Sequence, residues 1–422
     1  MPRVLLVSTT TGYQTRAFGE AAARLGVELV FATDRCHQID DPWRDDAVPI
    51  RFHDEAASVG AILEAARVRP IDGVLALGDR PTTIAARVAS ALGLPGNPLR
   101  AAEISRDKLA TRRCLAATRM PVPWFRTFRL DVDPLAVASE LTFPCVVKPL
   151  SLSGSRGVMR ADDPAGFVEA FQRLRRLLLE KSVLAMRDPL NEVALVEGFV
   201  AGQEFALEGL VEDGHVRTLA VFDKPDPLDG PFFEETIYVT PSSLPFEREH
   251  ALRQAVMQAT AALGLRHGPV HAECRMDGDA VVVLEVAARP IGGLCARALR
   301  FRDGDGPLIS LEEVLLRHAL GEPTGHLTRE AAASAVMMIP IPARGVYRRV
   351  DGVDAAAAVP GIDEVTITAK PDQVLVPLPE GASYLGFIFA RRETPAAAVD
   401  ALRDAHAHLR FLVETKIDVD GG

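Results

Sequence analysis

Residues 143–158 read FPCVVKPLSLSGSRGV. The apolar run Cys145-Val146-Val147 has strand character and ends at Lys148, and Pro149 breaks it. A loop of small residues follows, with Ser151, Ser153, Gly154, Ser155 and Gly157. Glycine lacks a Cβ, so backbone N–H groups in such a loop can come close to oxygens. Consecutive N–H groups form an anion-binding concavity, and a lysine ammonium adds a point charge to it. The stretch therefore has the chemistry to hold phosphates. A buried strand followed by a polar surface loop accounts for the same letters, so the decision rests on what surrounds it.

Upstream, residues 4–7 (VLLV) read as a buried strand, followed by a helix to Leu25 that Gly26 stops. A second strand at 27–31, a helix near 58–67 and a third strand at 73–77 come next. Ile84, Val88 and Leu92 sit at helical spacing, with Gly93 as the stop. Strands alternating with helices predict a parallel sheet in an α/β layer. Ligands of such sheets bind beyond the carboxyl ends of the strands, which marks residues 8–12 and Gly78-Asp79-Arg80 as edges of a cleft. No G-x-G-x-x-G follows the first strand, so the dinucleotide fingerprint is absent.

Residues 94–98 (LPGNP) read as a linker, and a helix carrying Lys108 follows, ended by Pro121 and Pro123. Beyond the Lys148 loop, Asp163 and Pro164 read as N-cap and first residue of a helix whose apolar stripe is Phe167, Phe171, Leu174 and Leu178. The stretch 194–211 predicts two strands around Ala201-Gly202, flanked by Glu197 and Glu204, with another strand at 216–222. The proline-rich 223–246 predicts a long loop, a feature that is usually functional or disordered. Its Phe232, Phe233 and Tyr238 beside Glu234 and Glu235 fit a binding loop; aromatics that anchor the loop to the core fit equally. A helix at 247–263 closes at Gly264, and 271–285 reads as a hairpin turning at 277–279. Past residue 330, strands near 334–340, 364–368 and 384–390 and a helix from Thr394-Pro395 predict a small α+β domain without a chemical motif.

Composition narrows the class. The chain has 422 residues, enough for two or three domains, with 48% hydrophobic and 25% charged residues, as in ordinary globular proteins. A net charge of −10 argues against a nucleic-acid-binding body. Cys36, Cys114, Cys145, Cys274 and Cys295 form no C-x-x-C and no zinc spacing, which suits free thiols in a reducing cytoplasm. The apolar start is too short for a signal peptide, and no run approaches the length of a membrane span. A homodimer is the default expectation for association.

The sharpest pair in the chain is Glu273 and Glu285, one on each strand of the hairpin. Two carboxylates on adjacent antiparallel strands can face one side and share a hard cation, and Mg²⁺ is held by one or two carboxylates plus substrate phosphates. Solvated strand residues are the plainer alternative, but Glu285 is set in the apolar run VVVLEVAA, where a carboxylate needs a partner. Arg289, four residues on, can hold a carboxylate or phosphoryl oxygen with its planar fork, or form an ion pair in the core. His271 shares the side of Glu273; a hydrogen-bonded structural histidine is its plainer reading. The run is neither H-E-x-x-H nor a P-loop.

Taken in order, Asp107-Lys108, Lys148 with its Gly/Ser loop, Glu197 and Glu204, Glu273, then E-x-x-x-R-x-x-G-G resemble the ATP-grasp superfamily over roughly residues 1–320. DKPDPLDGPFFEETIYVTPS, GPVHAECRMD and EVAARPIGG look like its biotin-carboxylase-like branch, which includes L-amino-acid ligases. YLGFIFARRETPAAAVDALR is similar to their C-terminal domain. The resemblance implies an ATP-grasp fold of α/β and α+β parts: an N-terminal parallel α/β domain at 1–98, an ATP-grasp domain at 99–325 with a lid subdomain at about 122–200, and a C-terminal α+β domain at 326–422. It implies that Lys108 and Lys148 contact ATP phosphates under a lid containing Ser153, Gly154, Ser155 and Gly157. Glu197, Phe199 and Val200 belong to the segment meeting adenine, and Glu204 binds the ribose. Glu273 and Glu285 hold Mg²⁺, and Arg289 stabilises an acyl-phosphate and the tetrahedral intermediate. Glu235, Tyr238, His271, Arg289, Gly292 and Gly293 form the candidate substrate-binding set. One departure stands out: the family's usual second metal ligand is an Asn two residues after the second Glu, and here it is Ala287. Alanine cannot ligate, so either Glu285 binds bidentately with water filling the gap, or metal binding is weaker.

The expected function is an ATP-dependent carboxylate–amine ligase acting on small acids and amines, with amino acids as the expected substrates, releasing ADP and phosphate. Its rivals are a carboxylase or purine-type ATP-grasp enzyme, a nucleotide-binding protein without turnover, and a structural assembly protein. The last leaves the lysines and the carboxylate pair unexplained.

Overall fold

The computed structural model describes residues 1–9, 12–34 and 47–414, apart from the side chain of Tyr13. Thr10, Thr11 and Cys36 therefore lie outside the described residues. Val4, Leu5, Leu6 and Val7 are all fully buried. A strand that is apolar on both sides needs cover on both faces, which is the situation inside a parallel sheet. Arg3–Ser8 accordingly lies within a parallel sheet ordered Val48–Pro49, Glu28–Thr33, Arg3–Ser8, Gly73–Leu77. Leu5 and Val7 pack with Ile62 and Ile84 of helices Glu55–Val68 and Pro81–Leu92. Val4 and Leu6 face the other way, into a core shared with Leu210, Phe222 and Leu315. The alternation of two along this strand is thus what docks the first sheet on the centre of the molecule and places Gly78-Asp79 at a cleft.

The helix expected around Lys108 is two helices, Leu99–Arg106 and Lys108–Ala117. Asp107 is extended between them, and its carboxylate accepts from the N–H groups of Leu109 and Ala110. Capping is better served there by an aspartate than by continuing the helix, and the break puts Lys108 in a first turn. The second helix ends at Ala117, before Pro121 is reached.

The 143–158 stretch supplies the strand Cys145–Pro149 of an antiparallel sheet ordered Phe125–Arg129, Val193–Gly198, Cys145–Pro149, Met159–Ala161. Helix Pro164–Leu178 covers it with Phe167, Phe171, Leu174 and Leu178, and Asp163 caps it by accepting from the Gly166 N–H. The two strands expected around Ala201-Gly202 exist, but in different sheets: Val193–Gly198 in this one, Gln203–Glu212 in the next. Gly202 has φ +100, and a Cβ there would stand 2.2 Å from the Met276 carbonyl oxygen. Only glycine lets the chain cross between the sheets at that spot.

The third sheet has eight strands, ordered Ala280–Ala287, Gly268–Asp277, Gln203–Glu212, His215–Asp223, Ile237–Thr240, Ala333–Ile339, Gly386–Arg392, Ile362–Ile367. Two points go beyond the sequence reading. The 223–246 stretch is not loop throughout, because Ile237–Thr240 is a fully buried strand in the middle of this sheet. Its proline-rich surroundings masked four residues of β-branched and aromatic character. The three strands expected past residue 330 continue the same sheet through the pairing of Ile237–Thr240 with Ala333–Ile339, while Val374–Leu375, Gly345–Asp351 and Arg410–Glu414 form a separate sheet. Among the described residues, no helix is long and apolar enough to cross a membrane.

Phe171 is fully buried under the sheet of Cys145–Pro149, whereas Leu135 is 70% exposed. Phe171→Ala is expected to cost about 3–5 kcal/mol in denaturant unfolding, and Leu135→Ala to stay within about 0.5 kcal/mol.

Candidate active site

A cavity of about 380 Å³ opens between the three sheets. Lys148, at the end of its strand, and the small-residue loop after it, through Ser153, Gly154 and Ser155, form one wall. Phe199 and Val200 line the cavity too, as does Lys108, whose Nζ donates to the Leu152 carbonyl beside the loop at 2.9 Å. Glu273, Glu285, Arg289, Gly292 and Gly293 line the same cavity with Asp79. The structure therefore brings into one space the residues that the sequence marked over more than a hundred positions. Gly157 is the exception, standing behind the loop rather than in the cavity wall.

Three buried ion networks set the charges. In the first, Lys148 Nζ donates to Glu197, whose carboxylate also receives Arg112 Nε at 2.9 Å and Arg112 Nη2 at 3.2 Å. Arg112 also donates to the Leu284 carbonyl at 2.8 Å, which ties its helix, the sheet of Val193–Gly198 and the hairpin together. Burial opposes ionisation of Glu197, but Arg112 and Lys148 outweigh it and hold its pKa at about 2. Burial lowers the pKa of Lys148.

In the second, Lys224 Nζ lies 2.7 Å from Glu204, 2.5 Å from Glu235 and 3.0 Å from Glu273, and 4.9 Å from the centre of the Tyr238 ring. Burial disfavours the ammonium, yet the three carboxylates raise its pKa well above the usual lysine value. Glu235 moves the other way from a normal carboxylate, up to about 7, because it is buried and faces Glu273. Glu204 also accepts from Arg275 Nε at 2.9 Å, and Arg275 Nη1 donates to the Val200 carbonyl at 2.8 Å. The Arg275 guanidinium rests 5.1 Å from the Phe199 ring, which stacks with Phe233 at 6.3 Å.

In the third, His271 Nδ1 is 3.1 Å from Glu208 and Nε2 is 3.8 Å from Glu273. Burial works against the imidazolium, the two carboxylates work for it, and its pKa stands at about 9. Arg289 Nε donates to Asp79 at 3.0 Å, so a carboxylate from the first sheet holds the fork that the hairpin end presents. Burial opposes the charge on Asp79, and Arg289 and Lys108 restore it, leaving its pKa below the usual carboxylate range.

Glu273 and Glu285 are direct partners across the hairpin, with a bulge just beyond them. Both line the cavity, Glu285 is 27% exposed, and its nearest cation is Lys108 at 4.0 Å. Ala287, 1% exposed, pairs with His271 and offers no donor atom. A second acidic grouping, Glu204, Glu235 and Glu273, has oxygens within 4.8 Å of one another, but Lys224 already supplies its cation.

Sequence reasoning named the lysines, the two hairpin glutamates and Arg289. It marked Asp79 only as a cleft edge, and it missed Arg112, Glu208, Lys224 and Arg275. Arg275 was detectable: residues 271, 273 and 275 share one face of their strand by the period of two. Glu208, a carboxylate inside the apolar strand FALEGLV, carried a similar signal. Arg112 carried none, because its partners lie 85 and 172 positions away.

With this geometry in view, comparisons with known proteins are informative. A profile described as "ATP-grasp domain" matches residues 141–298, "ATP-grasp N-terminal domain" matches 19–96, and "L-amino acid ligase C-terminal domain 2" matches 337–414. An uncharacterized protein, y4rH, of Sinorhizobium fredii is 26% identical over 392 residues, 92% of this chain and 79% of its own length. A D-alanine–D-alanine ligase of Aromatoleum aromaticum is 31% identical over 186 residues, and the match spans 44% of this chain and 56% of that protein. The crystal structure of an L-amino acid ligase from Bacillus licheniformis superposes with a TM-score of 0.78 at 26% identity, covering 98% of this chain and 99% of that one. The chain is an ATP-grasp protein, built from the N-terminal, central and C-terminal domains of that superfamily, and it resembles the L-amino acid ligases.

Proposed function

We propose that the protein is an ATP-dependent carboxylate–amine ligase that joins amino acids through an acyl-phosphate. One observation carries this reading. A single cavity is lined by two lysines, a Gly/Ser loop, two facing carboxylates and an arginine fork, and Lys108 stands between the loop and Glu285. The lysines and the loop suit polyphosphate, and the carboxylates and the fork suit a reacting phosphoryl and acyl group.

In this reading the ATP phosphates lie between Lys108, Lys148 and the loop of Ser153, Gly154 and Ser155, which Gly157 ends. Glu197 keeps Lys148 in place, while adenine lies along Phe199 and Val200. Glu204 faces the ribose: a carboxylate has about four acceptor positions, so its bonds to Lys224 and Arg275 leave room for hydroxyls. Glu273 and Glu285 are hard oxygen donors at matched positions and fit one Mg²⁺. That ion would neutralise charge on the transferring phosphoryl group.

An oxygen of the acid substrate takes the γ-phosphoryl group, and the bond from that phosphorus to ADP breaks. The amine nitrogen then attacks the acyl carbon. The C–N bond forms, the C–O bond to phosphate breaks, and the neutral amine gives up one proton to the departing phosphate or to solvent. Arg289, held by Asp79, faces the oxyanion of both steps with its planar fork. Gly292 and Gly293 let backbone approach the acyl group. Glu235 and Tyr238 face the α-amino group, with His271 behind them. The task is positioning and electrostatic stabilisation, and pre-formed ion networks suit it.

Phosphate release from MgATP, measured across amino acids singly and in pairs, is expected to depend on particular amino acids and to yield ADP without AMP. Arg289→Ala is expected to lower that rate by about 10²–10³. A silent matrix beside measurable ATP binding would instead favour a nucleotide-binding protein without turnover. Glu235→Gln keeps the shape and removes the charge. It is expected to raise KM for the amino acid about tenfold, the scale of a lost charged hydrogen bond; an unchanged KM removes the Glu235 assignment.

A further inference from the structure

The Gly/Ser loop is held from outside the cavity by a distant part of the chain. The Gly157 N–H donates to the Pro379 carbonyl at 2.8 Å, and Arg156 Nε donates to the Glu380 carbonyl at 2.8 Å. Arg173, on the helix beneath the loop, donates to both carboxylate oxygens of Glu380 at 2.5 and 2.9 Å. Fork-on-fork pairing of this kind fixes direction as well as adding energy. Arg173 is itself placed 4.9 Å from the centre of the Phe232 ring. At the same point the loop presses on the helix, since a Cβ on Gly157 would stand 3.0 Å from both Leu174 and Leu177. The other flank of the loop is tied to the cavity floor by Lys108 Nζ, which donates to the Leu152 carbonyl at 2.9 Å.

The segment that supplies Pro379 and Glu380 is a tight turn. The Gly381 N–H closes onto the Pro377 carbonyl at 2.9 Å, and a Cβ on Gly381 would stand 1.8 Å from the Val376 carbonyl oxygen. The chain then runs directly into the cavity wall, where Ala382 and Tyr384 line the end near Gly293. Glu380 itself does not line the cavity.

We propose that the 377–381 turn is a latch on the phosphate loop, and that Glu380 is a positioning residue that holds the loop over the cavity through Arg173. The proposal rests on reading the cavity as the ATP site. Loop and substrate wall are then one mechanical unit, because the residues that grip the loop and those that line the pocket are two to five positions apart.

The test uses the full chain with MgATP as the probe, titrated by calorimetry. A second readout, without nucleotide, is the rate of the tryptic cut after Arg156, followed by mass. Glu380→Gln and Arg173→Gln are each expected to weaken MgATP binding about fivefold, the scale of one partly exposed ion pair, and to speed the cut. The exchanged pair Arg173→Glu with Glu380→Arg is expected to restore both to within about twofold of the parent. Thermal melts identify a variant that does not fold, and either single variant suffices. Single variants that bind MgATP and resist trypsin like the parent overturn the latch, as does an exchanged pair no better than the singles. A parent chain that binds no MgATP removes the ATP reading instead, and the tryptic cut still decides the latch.

Discussion

One ammonium, Lys224 Nζ, holds three carboxylates that arrive from separate parts of the chain. Glu204 and Glu273 stand on neighbouring strands, Glu235 precedes the strand that joins the central and C-terminal parts of the large sheet, and Lys224 follows a fourth strand. Taking these charges out of water costs several kcal/mol for each, and only close mutual contact offsets it. Such a network contributes little net stability, but it tolerates only one arrangement: removing one partner leaves an uncompensated buried charge. The four segments must therefore meet in register. That constraint places Glu273 at the cavity, opposite Glu285, and sets the floor on which the rest of the site is built.

The Arg112–Glu197–Lys148 network does the same for the roof. It joins the helix that begins at Lys108 to the sheet of Cys145–Pro149 and Val193–Gly198 and, through the Leu284 carbonyl, to the hairpin. Lys148 thus meets the cavity with its charge balanced and its direction fixed, although its nearest carboxylate lies 49 positions on. Asp79 completes the pattern from the third side. A strand end of the parallel sheet supplies the partner of Arg289. Each of the three layers gives one anchor to the cavity, so the site exists only when all three are docked.

The chemistry follows from this division. The apolar strands fix where charged side chains start, and the ion networks fix where they end. The cavity is left with two lysine ammonium groups and an arginine fork, which the proposed reading assigns to phosphate and to an oxyanion. The facing carboxylates at 273 and 285 complete it. Ala287 narrows the protein donors at the hairpin to those two carboxylates.

The sequence alone determined the parts whose signal is local. The buried run at 4–7, the helix stop at Gly93, the Asp163 cap and the hairpin with its two glutamates all read correctly because period, capping and turn chemistry act within a few residues. The same holds for Lys148 and its loop. Tertiary structure decided everything that depends on distant partners. Ile237–Thr240 looked like loop because its prolines are local, while its burial comes from strands on both sides. The helix at Lys108 broke because the Asp107 carboxylate found backbone donors. Arg112 and Lys224 became partners of cavity residues, and Asp79 of Arg289, only when chain segments up to 210 positions apart met. The physical reason is that a side chain's type is written in the sequence, but the partner that stabilises its charge in the interior is selected by packing.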